Sequence, residues 1–243
     1  MQWSDDAIVL GGRRFGESGL ILDVLTATRG RRAGLVYGGA GRRKRAQFEP
    51  GNSVRLSWTG RLEEQLGHFE TAEAARERAA RLLDRPLALS ALASMAAILR
   101  GVLDEGDSGG SSVYAPSLLL LDSLEEDAVW PALYARWEIG LLSALGFGLD
   151  LDQCAVSGGN DGLTHVSPRT GRAVRGSEVP DYVEKLFPLP AFLTDSRAPA
   201  PSADISAALD LSGHFLAARV FAGLNKPLPD ARARLISRLR MTL

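Results

Sequence analysis

Residues 29–45 read R-G-R-R-A-G-L-V-Y-G-G-A-G-R-R-K-R, with seven basic residues (Arg29, Arg31, Arg32, Arg42, Arg43, Lys44 and Arg45) and no acidic one. The middle of this stretch, residues 33–37, is small and apolar and predicts a short strand, which Gly38, Gly39 and Gly41 break into a loop. Two clusters of positive charge therefore flank one strand. The second sits on a loop whose glycines let the backbone approach a ligand closely. This is chemistry for a polyanion, because each phosphate neutralised by Lys or Arg releases condensed counterions. The competing reading is a solvated basic loop that binds nothing specific.

Other constellations stop short of a reaction. Residues 38–45 are not a P-loop: Arg43 stands where the second glycine belongs, and no Ser or Thr follows Lys44 to hold magnesium. Gly39-Ala40-Gly41 lacks the third glycine of a dinucleotide fingerprint. Gly16-Glu17-Ser18-Gly19 is one residue short of a nucleophile elbow. His68, His165 and His214 lie in three separate segments, none with a partner at metal-ligand spacing. The expectation is a protein without catalytic residues, metal or cofactor, which disfavours a phosphate-handling enzyme.

Five short strands are expected to position the basic stretch, at residues 7–10, 19–26, 31–37, 53–59 and 62–71. The fourth alternates most clearly, with Val54, Leu56 and Trp58 on one face and Arg55, Ser57 and Thr59 on the other. Five strands with glycine-rich turns in so short a span suit a small barrel of the OB-fold type. Such barrels hold single-stranded nucleic acid in a basic groove with a few stacking aromatics. Tyr37, Phe48 and Trp58 are the candidate stackers. After residue 72 the texture turns helical, with helices expected at 73–84, 87–103, 114–124, 128–145, 204–224 and 230–240. In the fourth of these, Leu133, Trp137, Leu141 and Leu145 form an apolar stripe that reads as core. Residues 148–178, rich in Gly, Ser, Thr and Asp, read as an irregular insertion followed by a short helix near 178–187. The fold class is α+β: an OB-fold barrel over 1–72 and a helical domain over 73–243.

Charge separates the two parts. Residues 1–60 hold ten Lys/Arg against five Asp/Glu, a balance of +5, whereas residues 61–243 hold eighteen against twenty-four, a balance of -6. The anion-binding surface is thus expected on the first module. One cysteine, Cys154, excludes an intramolecular disulfide framework. No apolar run reaches the roughly 18 residues of a membrane span, and residues 1–6 lack a signal peptide's apolar core. The expected location is the cytosol, away from membranes.

Taken together, the residues resemble the RecO family of bacterial recombination mediators. The first module carries the resemblance in Ile8-Val9-Leu10, Gly16-Glu17-Ser18, Leu25-Thr26 with Gly30, Leu35-Val36-x-Gly38-Gly39, the basic loop, and Pro50-Gly51-Asn52-x-Val54. The helical part carries it in Trp137-Glu138-x-x-Leu141-Leu142-x-x-Leu145-Gly146-Phe147 and in Leu149-x-Leu151-x-x-Cys154. Val166-Ser167-Pro168 with Gly171, and Lys226-Pro227-Leu228 with Arg232, complete it. The resemblance implies an N-terminal OB-fold, a helical domain and a zinc-finger-like insertion at 148–178. It also implies binding of single- and double-stranded DNA, annealing of complementary strands, engagement of the C-terminal tail of single-strand-binding protein (SSB), and action with RecR to load RecA. Location in the cytoplasm at the nucleoid follows from the same resemblance. Arg136, beside the matched helix motif, is the candidate for the SSB tail. Arg29, Arg31, Arg32, Arg42, Arg43, Lys44, Arg45, Tyr37 and Trp58 are the candidates for DNA.

The chain departs from the family pattern at the insertion. Where many members carry two Cys-x-x-Cys pairs, this chain has Cys154-Ala155-Val156-Ser157 and Arg175-Gly176-Ser177-Glu178, so three of four ligand positions are lost. Hydrogen bonds and packing are expected to hold the insertion instead. A generic OB-fold RNA or tRNA binder remains open as a second reading.

Overall fold

A computed structural model describes residues 1–62, 66–106 and 108–242, and the backbone alone for Arg42, Arg43, Thr71, Ser108 and Gly109. The chain forms two units, Met1–Asp127 with Pro229–Leu235, and Ala128–Leu228 with Ile236–Leu243.

The first unit is built on five strands: β1 (Gln2–Phe15), β2 (Gly19–Thr26), β3 (Gly30–Val36), β4 (Ser53–Thr59) and β5 (Gly67–Arg76). They close into a barrel in the order β1-β2-β3-β5-β4, as expected for an OB-fold. Closure depends on β1, which is far longer than the expected 7–10. Its first half pairs with β4 and its second half with β2, and a register shift between Val9 and Gly11 bends the strand from one neighbour to the other. The parallel pairs Gly34↔Gly67 and Leu35↔His68 join β3 to β5. Gly34 is required there, since a Cβ would fall 2.7 Å from the Phe69 ring. The core inside includes Val9, Leu22, Val24, Val54, Leu56, Trp58 and Phe69.

The basic loop between β3 and β4 contains a single helical turn, α1 (Arg42–Arg45), where the sequence predicts loop. β5 lies later than expected and runs through Ala72, Ala74 and Arg76 into the region predicted as helix. Its pairing along β4 outweighs the helix preference of those alanines. Only a 3-10 turn, Ala79–Leu82, remains of that predicted helix. It leads to α2 (Pro86–Val102) and α3 (Tyr114–Ser123).

The second unit packs α4 (Trp130–Ala144) with α5 (Ser202–Phe215), which continues into a π-helical turn, Leu216–Phe221. The predicted stripe is core at Trp137 and Leu141, with Trp130 and Tyr134 buried on the same helix. Glu138 is fully buried, and Ser212 Oγ donates to its carboxylate at 2.5 Å. The insertion is more regular than expected. Its β6 (His165–Val166) and β7 (Ala173–Val174) join β8 (Phe187–Pro188), from beyond the insertion, in a three-stranded sheet with β6 central. The short helix expected near 178–187 is instead a pair of 3-10 turns, Gly176–Glu178 and Pro180–Lys185. The last helix, α5's successor α6 (Asp230–Arg240), divides its residues between the two units. Among the described residues, no helix is long and apolar enough to cross a membrane.

Candidate nucleic-acid interface

The basic loop is held at both ends. At its start, Gly38 takes φ +67°, which favours glycine, and the Ala40 amide donates to Ser18 O at 3.0 Å, seating the loop on the β1–β2 turn. The Lys44 and Arg45 amides then donate to Gly41 O at 3.0 and 2.9 Å, closing the helical turn. At its end, buried Asn52 fixes the exit. Asn52 Nδ2 donates to Ala46 O and Gln47 O, and Asn52 Oδ1 accepts from the Arg78 and Ala79 amides at 2.8 and 3.0 Å. One side chain thus ties the loop to the segment entering the helices. Arg78, itself buried, is paired with Asp122 on α3 at 2.7 Å.

This support leaves Lys44 and Arg45 exposed. The side chains of Arg42 and Arg43 lie outside the described residues; their backbone continues the same turn. Tyr37, just before the loop, is 69% exposed, with its ring 5.9 Å from that of His68. These positions present charge and one aromatic face at one end of β3. The Arg29 cluster begins at the other end. Seven strand residues lie between Arg29 and Tyr37, which at about 3.3 Å each is about 23 Å.

The remaining candidates are placed differently. Arg29 lies over the Trp3 ring, 5.3 Å from its centroid. Arg31 is committed to the fold: Nε and Nη2 donate to Asp23 at 2.9 and 2.8 Å, and Nη1 donates to the carbonyls of Arg100 and Leu103 at the end of α2. Hydrogen bonding to Asp23 raises the Arg31 pKa above its ordinary value against the cost of desolvation. Arg100 also reaches Asp23, at 3.0 Å, so one nearly buried carboxylate holds two guanidiniums. Arg32 is half-buried beside Gly106, and its Nε has no hydrogen-bond partner among the described residues.

Trp58 requires a correction as a candidate stacker. It is 2% exposed and stacks on Trp3 with ring centroids 5.5 Å apart. Gly60 and Gly67 lie so close that a Cβ on either would fall 2.4–2.5 Å from its ring. No face is left for a base. Phe48 is likewise core.

Sequence reading missed Arg13 and Arg14, which are exposed near the end of β1. Arg14 shares a groove with Ala40 and Arg45. The signal was present in the pair itself, but the preceding Gly11-Gly12 reads as a strand end and hides it. Asn52 was noticed only as part of a motif.

In the second unit, the four residues at the family's ligand positions, three of them changed, meet in space. Cys154 Sγ donates to Glu178 Oε2 at 3.2 Å, and the Arg175 amide donates to Cys154 Sγ. The Arg175 guanidinium reaches Ser157 Oγ at 3.4 Å, Glu178 Oε1 at 2.9 Å and the carboxylate of Asp161. Hydrogen bonds from Cys154, Ser157 and Arg175 hold the Glu178 carboxyl below its ordinary pKa. Burial pushes the Cys154 thiol up, but backbone and side-chain hydrogen bonds from Ser157, with backbone bonds from Arg175 and Val156, outweigh it and lower its pKa. Among the described residues, no group of three or more His, Cys, Asp or Glu could hold a metal ion. Arg136 is also engaged, donating from Nε and Nη2 to Phe192 O and from Nη2 to Asp195 O, with its guanidinium over the Phe192 ring.

Comparison with known families gives two matches. The model described as Recombination protein O N terminal matches residues 1–78, and that described as Recombination protein O C terminal matches residues 83–227. The DNA repair protein RecO of Hyphomonas neptunium is 66% identical over 239 residues, covering 98% of each chain. The protein of the same name in Caulobacter vibrioides (strain NA1000 / CB15N) is 43% identical over 98% of each chain. That of Rhodospirillum centenum is 44% identical over 99% of this chain and 95% of its own.

Proposed function

The chain belongs to the RecO family of DNA repair proteins, and from that premise we propose that it is a non-enzymatic mediator of repair and recombination. It binds single- and double-stranded DNA, anneals complementary strands and, with RecR, helps load RecA onto DNA coated by SSB. The observation that carries the DNA part is the helical turn of the basic loop, with Lys44 and Arg45 exposed, between β3 and β4 of a closed five-stranded barrel.

The physical reading is simple. Arg42, Arg43, Lys44 and Arg45, helped by Arg29, Arg32 and Arg14, neutralise phosphates, while Tyr37 offers one ring to a base. Contacts of this kind position a strand without reading its sequence. Two strands held on such a surface repel each other less, and their base edges remain free to pair. Annealing then needs no ATP, because duplex formation is downhill. Arg31 contributes by fixing β3 to α2 rather than by touching phosphate. Partner binding to the SSB tail belongs to the helical part; Arg136 serves it by holding the 191–195 turn in place.

The test is annealing of complementary fluorophore-labelled oligonucleotides, bare and coated with SSB. The proposal expects the protein to accelerate both without nucleotide. No acceleration of either, or tighter binding to RNA than to DNA of the same sequence, would favour the generic RNA-binding reading.

A further inference from the structure

The β1–β2 hairpin leaves an aromatic ring in solvent. Phe15, the last residue of β1, is 51% exposed. The register sets it opposite Gly19 on β2. The pairing of Leu20 with Val36, continued by one residue, brings Tyr37 to the other side of the same glycine. Phe15 and Tyr37 thus stand in one row, two strand spacings apart, which is about 10 Å. Gly19 puts no side chain between them, since a Cβ there would fall 2.6 Å from Phe15 O and 3.2 Å from Leu35 Cδ1. Leu35, half-buried, floors the gap. On its far side Tyr37 is backed by the ring of His68, 5.9 Å away. A flat ring stacked between two others takes two contact separations, about 7–8 Å in all, whereas two stacked rings would take three, about 11 Å. The gap therefore suits one nucleobase and not two. Cations stand on both sides of the row. Arg13 and Arg14 precede Phe15 and are exposed, and exposed Lys44 and Arg45 follow Tyr37 in the loop that the Ala40 amide seats on Ser18 O. Bare rings flanked by such charge suit a nucleotide strand, with its bases on the rings and its phosphates on the cations.

We propose that Phe15 is a base-stacking residue and that, with Tyr37, it forms a slot over Gly19 for one unpaired base of a DNA strand. The inference rests on the nucleic-acid reading above and adds to it a site for the base rather than the phosphate. Every base has a π-face, so the slot takes any of them. A paired base is already stacked within its duplex, so the slot favours single strands.

The experiment is fluorescence anisotropy of the full chain with fluorescein-labelled oligo(dT) and with an abasic strand of the same length, whose deoxyribose-phosphate backbone carries no bases. Wild type should bind oligo(dT) about tenfold or more tightly than the abasic strand. Phe15→Ala should weaken oligo(dT) binding about fivefold or more. It should leave the abasic strand and the salt slope unchanged, because no phosphate contact is lost. Phe15→Trp should keep wild-type affinity for both strands. Both variants should keep the thermal midpoint, since exposed positions tolerate substitution. Equal wild-type affinity for the two strands would overturn the slot while leaving the phosphate contacts standing. A Phe15→Ala variant with wild-type affinity for oligo(dT) would also overturn it, and would leave the rings to a protein partner. So would a variant that weakens both strands alike or flattens the salt slope, since Phe15 would then only support the cations. Binding of neither strand by wild type would overturn the nucleic-acid reading itself, and the slot with it.

Discussion

At the scale of single residues, type alone does not tell a binding arginine from a structural one. Arg31 and Lys44 look equivalent in the sequence, yet Arg31 spends its donors on Asp23 and on the carbonyls ending α2, while Lys44 stands in solvent. The aromatics divide the same way. Clean alternation in β4 identified the face that carries Trp58, but alternation names a face without saying whether the barrel or the solvent fills it. Here Trp3, Gly60 and Gly67 close around the ring, and none of them signals that in sequence. The two aromatics should therefore respond oppositely. Trp58→Ala should cost about 3–5 kcal/mol, read as a lower urea midpoint. Tyr37→Ala should leave that midpoint within about 0.5 kcal/mol of wild type and weaken single-stranded DNA binding by about 1–3 kcal/mol if its ring stacks on a base. Equal loss of stability in the two variants would contradict the placement of these rings.

At the scale of elements, β2 and β4 were legible with their observed bounds because apolar residues mark them and turns end them. β1 and β5 were not. Gly11-Gly12 reads as a stop, and the alanines after residue 72 read as helix, but each segment is held by a neighbouring strand that local preference does not see. The basic loop shows the converse: its charges were plain, whereas the device that shapes it, Asn52, sits seven residues beyond Arg45 and acts through carbonyls and amides. Asn52→Ala leaves the Arg78 and Ala79 amides without their acceptor. It should cost about 2 kcal/mol, because an unsatisfied buried donor forfeits its desolvation cost. Hydrogen exchange should rise across residues 38–48 before the rest of the barrel. Unchanged exchange there would show that the loop does not depend on Asn52.

The insertion makes a second prediction at this scale. Glu178 has a lowered folded pKa, so its contribution is present above the unfolded value of 4.5 and is lost as pH falls through the lowered folded value. Limited proteolysis between residues 154 and 178 should increase as pH is taken below 4.5, and Glu178→Gln should be cut readily even at neutral pH. A chelator should change neither result, because Cys154 is the one cysteine left at the four matched ligand positions, too few for a tetrahedral zinc site. Protection that vanished with chelation would point to a metal.

At the scale of the whole molecule, the charge asymmetry read from the sequence matters more than the net charge of -1. It places an excess of cations on residues 1–60, which carry β1 to β4, and the fold gives that excess a shape, with Arg29 and Arg32 toward the start of β3 and residues 42–45 beyond its end. Affinity for single strands should therefore be set by a few phosphate contacts and fall with salt. The salt dependence of single-stranded DNA binding, wild type against Arg42→Ala/Arg43→Ala/Lys44→Ala, measures those contacts. If about four of the basic side chains contact phosphate, the wild-type log–log slope is about -3, at about -0.7 per phosphate. The triple variant should lie about 2 units flatter, bind all sequences more weakly by the same factor, and keep its thermal midpoint. A triple variant with wild-type affinity and an unchanged slope would contradict this, placing the DNA site elsewhere and leaving residues 42–45 a solvated turn.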